Sequence, residues 1–208
     1  MSIIEIEMRG PLTSDSYQKT LEFLQKEANF KKEKRRVLID YSTFLDTDGF
    51  SSRTLDIRSR ITNGEGEMII KQGAFGGSDV RREVSVPVAG KDYLPLVEAY
   101  ALMGYKKGVL CIRNTMAFEY KGVEVALVEV PGHSYFFEAE IELDKEEGVE
   151  EAQKVIMSVC DELSLTLYSD DEYFAYVETL NEEANGVFDY EVDGLAKLES
   201  VLREQGQI

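Results

Sequence analysis

Glu5, Glu7 and Arg9 alternate with Ile4, Ile6 and Met8. In an extended chain, residues two apart share a face, so this segment would show two carboxylates and a guanidinium on one side. The spacing recurs along the chain. Glu138, Glu140 and Glu142 alternate with Ala139, Ile141 and Leu143, and Arg58 and Arg60 stand opposite Ile57 and Ile61. Lys71 emerges opposite Ile70, Arg81 shares a face with Glu83, and Arg113 lies on a segment with Leu110 and Ile112. Carboxylates gathered in this way are the oxygen ligands that Mg²⁺ or Mn²⁺ takes, and arginines beside them grip phosphates bidentately. A half-exposed sheet accounts for any one of these strands. It accounts poorly for charge on one face of almost all of them, because helices need an apolar surface to pack on. A barrel with helices outside and a charged lumen meets both needs.

The elements that would position these residues can be read from pattern and punctuation. The first strand is followed by a helix from the polar cluster Thr13–Ser16 to about Asn29, with Tyr17, Leu21 and Leu24 on one face. The basic run Lys31–Arg36 reads as a solvated turn, and Val37–Tyr41 as a strand. Leu55–Ile61 and Glu67–Lys71 form a β-hairpin turning at Asn63-Gly64. The glycine loop Gly73–Ser78 opens a strand and lacks a Gly-Lys-Ser ending, so it is a hairpin loop and not a phosphate cradle. Asp92–Met103 reads as a helix with Leu94, Val97, Ala101 and Leu102 on one side. Strands near Val109–Ala117, Val123–Val130 and Tyr135–Leu143 follow. The chain then turns helical from Glu147, with a capping box at Ser169–Glu172 and a last helix over Asp193–Gln205. The expected fold is α+β, an up-and-down antiparallel sheet of about eight strands, closed or nearly closed into a barrel, within a single domain over 1–208.

Composition narrows the function classes. The 208 residues carry 40 acidic and 23 basic side chains, and residues 141–208 hold 19 of the acids against 4 bases. That field repels nucleic acid, and the acidic helical tail is expected outside the barrel, contributing little to the site. One histidine and two cysteines exclude His- or Cys-rich zinc sites. With no apolar run near ~20 residues and no signal-peptide pattern, no membrane partner and a cytoplasmic location are expected. Monomer and homodimer both remain open.

Four motifs in order resemble one family. Glu5-Ile-Glu7-Met-Arg9 resembles the Glu-x-Glu-x-Lys signature of the CYTH superfamily, the triphosphate tunnel metalloenzymes. Arg58-Ser-Arg60 followed by Lys71 resembles its paired arginines and following lysine. Arg113, after Gly104-Tyr105, resembles the arginine of its Lys-x-Arg strand, and Gly132-His-Ser-Tyr-Phe136-Phe-Glu138-Ala-Glu140 its closing carboxylate segment. The resemblance implies an eight-stranded tunnel with Mg²⁺ or Mn²⁺ on Glu5, Glu7, Glu138 and Glu140. Arg9, Arg58, Arg60, Lys71 and Arg113 would then contact phosphate oxygens, with Arg81 a further candidate. A fifth acidic ligand would come from the preceding strand, where parity favours Glu124 over Glu129. Three departures stand out: Arg9 replaces the signature lysine, Cys111 replaces the lysine of Lys-x-Arg, and Asp170–Glu172 stand where family members often carry a cation.

The implied activity is metal-dependent hydrolysis of a triphosphate-containing small molecule: inorganic triphosphate, thiamine triphosphate or a nucleoside triphosphate. The alternatives are a class IV-type adenylyl cyclase, a catalytically silent polyphosphate- or nucleotide-binding module, and an interaction protein docking a basic partner through its acidic tail.

Overall fold

The computed structural model describes residues 2–45 and 49–208. Nine strands and five helices follow in the order β1 (Ser2–Leu12), α1 (Ser14–Glu27), β2 (Asn29–Asp40), β3 (Leu55–Thr62), β4 (Glu65–Gln72), β5 (Ser78–Val88), α2 (Tyr93–Leu102), β6 (Lys107–Tyr120), β7 (Val123–Val130), β8 (Ser134–Leu143), α3 (Val149–Glu162), α4 (Asp170–Glu183), β9 (Gly186–Asp189) and α5 (Tyr190–Glu204). Around the sheet the strands run β2-β3-β4-β5-β1-β8-β7-β6, and β6 pairs back onto β2 over Asn29–Asp40. Every pairing is antiparallel. The first eight strands therefore close into a barrel, and β9 adds to the outer end of β6.

Local chemistry explains the elements. Asn63 and Gly64 both adopt positive φ, 52° and 86°, as the tight β3–β4 hairpin requires. Thr13 and Ser169 cap α1 and α4 through reciprocal capping boxes with Ser16 and Glu172. Alternation then sorts each strand. Ile6 and Met8 face out beneath α1 and α3, where they pack with Leu24, Val125, Leu127, Phe137, Ile156 and Val159. Val37, Ile39, Ile57 and Ile61 face out beneath α2 and α5, against Tyr93, Val97, Leu198 and Leu202. The main apolar clusters thus lie outside the barrel and most inward positions are left to charge, except beneath α4, where Val128 and Phe136 pack with Leu180.

Several expectations need correction. Lys31–Arg36 is no turn; it is the first half of β2, which runs unbroken into Val37–Tyr41. On α2 the buried residues are Tyr93, Val97, Tyr100 and Ala101, whereas Leu102 is 82% exposed, because Tyr93, Val97 and Tyr100 recur at helical spacing and define the packed stripe. Strand β9 was not expected at all. Its four residues carry no pattern of their own and are extended because β6 runs on past the end of β7, whose pairing stops at Asn114, and offers an edge at Lys107–Leu110.

Gly10 is a point of close approach. The segment before α4 crosses β1 there, with the Tyr168 N–H donating to the Arg9 carbonyl at 2.9 Å. A Cβ on Gly10 would lie 1.8 Å from the Thr166 carbonyl oxygen and 2.5 Å from the Phe137 ring. Gly10→Ala should therefore cost about 1–3 kcal/mol by overpacking, read as a lower midpoint in chemical denaturation with the slope unchanged.

Candidate functional site

The inward residues of the barrel form a chamber of ≈ 560 Å³ that opens at the end carrying the β3–β4 hairpin tip. Seven cations and nine carboxylates line it. A second void of ≈ 120 Å³ lies deeper, beneath α4, and Arg36, Arg58, Glu138 and Tyr173 border both. A hollow of ≈ 770 Å³ outside the barrel, between β5 and the start of α3, meets the residues of this chemistry only at Arg81.

One side of the lumen is paired with itself. Arg53 bridges Asp40 and Asp56, and Arg81 and Arg58 also converge on Asp56, Arg81 at 2.6 Å. Arg81 continues to Asp79 at 3.2 Å, and Arg9 meets Asp79 at 2.9 Å and also bonds Glu7. Lys71 bonds Glu5 and reaches Glu83 at 3.1 Å. Arg9 further donates to the Gly76 carbonyl at 2.8 Å and lies 5.1 Å from the centre of the Tyr173 ring. A lysine has one small ammonium and could not serve all these partners at once. Arg9 is thus a clamp joining β1, the β4–β5 loop and α4. Burial pushes the Glu7 carboxyl up, but Arg9, Lys71 and Arg81 outweigh it and bring the value down to about 2.

The other side is not balanced in this way. Glu140 faces Glu7 across one ladder and Glu124 across the other, and it is in no ion pair among the described residues. Burial, with Glu7 and Glu5 adding repulsion, pushes its carboxyl up to about 8. Glu138 and Glu5 are raised for the same two reasons, burial first and Glu7 second. Opposite them stands Arg36, whose one side-chain contact is a 3.4 Å bond to the Thr62 hydroxyl and which has no carboxylate partner among the described residues. Desolvation inside the barrel, together with neighbouring Arg60, pushes its guanidinium down to about 10. Lys34 and Lys31 reach over β6 to Glu124 on β7 at 2.7 and 2.9 Å, and Lys32 lines the mouth.

The residues expected from the sequence therefore fall into groups. Glu5, Glu7, Glu138, Glu140 and Glu124 all border the main chamber, as do Arg9, Arg58, Arg60 and Lys71. Glu129, the alternative to Glu124, points away and receives a bond from Asn114. Arg81 is 1% exposed and sits behind the chamber wall, engaged by acids. Arg113 lines the deeper void, where its guanidinium donates to the Ile112 carbonyl and to Asn185 at 2.9 Å. Cys111 lines the same void, and burial pushes its thiol up. The sequence reading missed Lys32, Lys34 and Arg36, although Arg36 stands in phase with Leu38 and Asp40, opposite Val37 and Ile39. It also missed α4, expected to stay outside the site: Tyr173 enters the lumen, and burial pushes its phenol up to about 12.

The CYTH domain family model matches residues 3–196. The chain belongs to the CYTH domain family. Comparison with curated proteins finds no match. Among solved structures this CYTH domain is similar to PH1819 from Pyrococcus horikoshii, with 22% identity over 84% of this chain and 99% of that one and a TM-score of 0.63. PH1012 from the same organism gives 18% identity, 79% and 94% coverage and a TM-score of 0.63. HpAC1 from Hippeastrum, named for adenylyl cyclase and found to have a dominant triphosphatase activity, gives 12% identity, 80% and 90% coverage and a TM-score of 0.54. At these identities the likeness is one of fold.

Asp56 holds three guanidiniums together. Burial opposes its ionisation, but Arg58, Arg53 and Arg81 keep its carboxyl well below the usual carboxylate range. Its contribution to stability is complete above the unfolded value of about 4 and shrinks as pH falls below it. Asp56→Asn in this CYTH domain should cost about 3–5 kcal/mol near neutrality, because it leaves buried cations unpartnered. The cost should narrow in acid, as measured by denaturation at a series of pH values.

Proposed function

We propose that this protein is a divalent-metal-dependent hydrolase of triphosphate compounds, with the barrel lumen as its active site. The observation that carries the reading is Arg36: a guanidinium desolvated inside the barrel, beside a second arginine and, among the described residues, in no ion pair with a carboxylate. A desolvated cation in that position is stabilised by an anionic ligand, and phosphate oxygens fit a paired guanidinium site.

The donor set fits a hard cation. With nine carboxylates against seven cations, the chamber would repel a polyanion arriving alone. Glu138 and Glu140 crowd one another and Glu7, and among the described residues only Glu138 has a basic partner, Arg9 at 3.8 Å. Oxygen-only ligands of this kind suit Mg²⁺ or Mn²⁺. They are not gathered into a finished centre: among the described residues, no three carboxylates converge on one metal position. Glu5 and Glu7 are turned onto Lys71 and Arg9 and would be drawn from them. Glu138 and Glu140 would hold the ion, with Glu5 and Glu7 completing its shell and Glu124 nearest Lys31 and Lys34. When bound, the ion would polarise a phosphoryl oxygen as a Lewis acid.

The chain's own residues account for the remaining steps. Arg36 and Arg60 would bind and orient the phosphate chain and neutralise charge developing on the transferred group, the largest electrostatic demand of phosphoryl transfer. Lys71, released from Glu5, would add a further cation from the opposite wall. Arg58, shared between the two voids, would hold the inner phosphate. Helix α4 and Tyr173 would cover the inner end.

Phosphate release should therefore be detectable with tripolyphosphate, ATP or thiamine triphosphate in Mg²⁺ or Mn²⁺ and should vanish on chelation. Arg36→Ala should lower kcat/KM by about 10²-fold while leaving the fold intact, since Arg36 supports no ion pair. Glu138→Gln should abolish turnover and reduce the thermal shift caused by Mn²⁺. Full metal-dependent turnover in Glu138→Gln would place the metal elsewhere.

A further inference from the structure

A further hollow, of ≈ 460 Å³, lies outside the barrel, where the end of α5 and the first turn of α1 meet the backs of β2, β6 and β7. It shares no residue with the main chamber. A polar row crosses the sheet here at one level: Arg35 pairs with Asn114, Asn114 with Glu129, and Glu129 with Tyr135. What this row offers the hollow is mostly acceptor. Asn114 turns its NH₂ onto Glu129 at 3.1 Å, which leaves its carbonyl oxygen unused among the described residues. Glu129 and Glu204 line the hollow and are in no ion pair among the described residues. The last turn of α5 adds the negative end of its dipole. The two arginines are already engaged, Arg35 with Glu33 at 3.4 Å and Arg203 with Glu199 at 2.6 Å. Tyr17 decides the matter. It is only 8% exposed, its ring lies 4.6 Å from that of Tyr135, and its hydroxyl has no hydrogen-bond partner among the described residues. Burial first, then Glu129, raises its phenol above the ordinary value, so the hydroxyl lies on the side of the hollow that Glu129 borders.

We propose that this hollow is a binding site for an aliphatic polyamine. One ammonium sits between the Glu129 carboxylate, the Asn114 carbonyl oxygen and the Tyr17 hydroxyl, three acceptors for its three N–H donors. The methylene stem runs over Met116, as long amine side chains cover apolar surface while their heads stay polar. Glu204, at the end of α5, receives a second ammonium. A hard divalent ion is a poorer occupant: it needs several oxygen ligands about one point, and among the described residues no three carboxylates converge here. The site stands apart from the lumen and does not depend on the hydrolase reading.

The test is calorimetric titration with spermidine and, for comparison, butylamine. A chain of net charge −17 attracts any cation diffusely, so both are titrated at constant ionic strength in excess Mg²⁺. Spermidine should bind at one site per chain and more tightly than butylamine. Glu129→Gln and Tyr17→Phe keep the shapes of their side chains, and each should weaken spermidine by about tenfold, one hydrogen bond to a charged group. Tyr17→Phe is the sharper arm, because it removes no charge and breaks no bond within the protein. Glu204→Gln should erase the advantage of spermidine over butylamine. Glu138→Gln, inside the lumen, should leave spermidine binding unchanged. Binding that disappears in Mg²⁺, or that survives Glu129→Gln or Tyr17→Phe undiminished, would overturn the proposal. Loss of binding in Glu138→Gln would do the same by placing the amine in the lumen.

Discussion

Closure of the sheet is the constraint on which everything else depends. The β2–β6 ladder joins the first half of the barrel to the second, and once it forms, the inward residues of eight strands share one enclosed volume. On an open sheet, Glu5, Arg9, Arg58 and Lys71 would each meet water independently. Inside the barrel each must find a partner or carry a desolvation cost of several kcal/mol. The chain of pairs from Asp40 through Arg53, Asp56, Arg81, Asp79 and Arg9 to Glu7 is the outcome. It occupies the guanidiniums of Arg9, Arg53 and Arg81 and ties β1, β2, β3, β5 and the loop before β3 to a common centre.

That self-pairing divides the lumen by role. Arg53 and Arg81 are held by carboxylates behind the chamber wall, whereas Arg9, Arg58, Arg60 and Lys71 are paired with acids and still border the chamber. Arg36 and Glu140 are in no ion pair among the described residues, and they face the same chamber. The sequence departures can be understood in these terms. Arg9 in place of lysine supplies enough donors to serve Glu7, Asp79 and Gly76 together. The acids at Asp170–Glu172 cap α4 and fasten it to Gly77, so that end of the lumen is covered by a helix that brings no cation of its own.

Much of this was legible in the sequence where period-2 alternation pairs charge with apolar residues. Ile4, Ile6 and Met8 against Glu5, Glu7 and Arg9 fix the inward face of β1, and the same logic set Glu124 inward and Glu129 outward. It failed on Lys31–Arg36 for a definite reason. Both faces of that half-strand are charged, with Lys32, Lys34 and Arg36 inward and Glu33 and Arg35 outward, and the register slips between Phe30 and Lys32. No alternation survives to be seen. Which carboxylate meets which guanidinium was equally hidden, because side-chain parity names a face and not a partner. The placement of Tyr173 depends on the crossing at Gly10 and the anchoring of α4, neither of which has a local signature.

On this reading Arg36, Arg60, Glu138 and Glu140 receive the metal and the phosphate chain together inside one closed lumen. Anomalous diffraction from crystals soaked with Mn²⁺ and a non-hydrolysable imidotriphosphate tests it most directly. The account predicts a manganese peak within bonding distance of Glu138 and Glu140, and phosphate density against Arg36 and Arg60 in the same chamber. Manganese or phosphate bound only outside the barrel, with Arg36 still without an anionic partner, would contradict it.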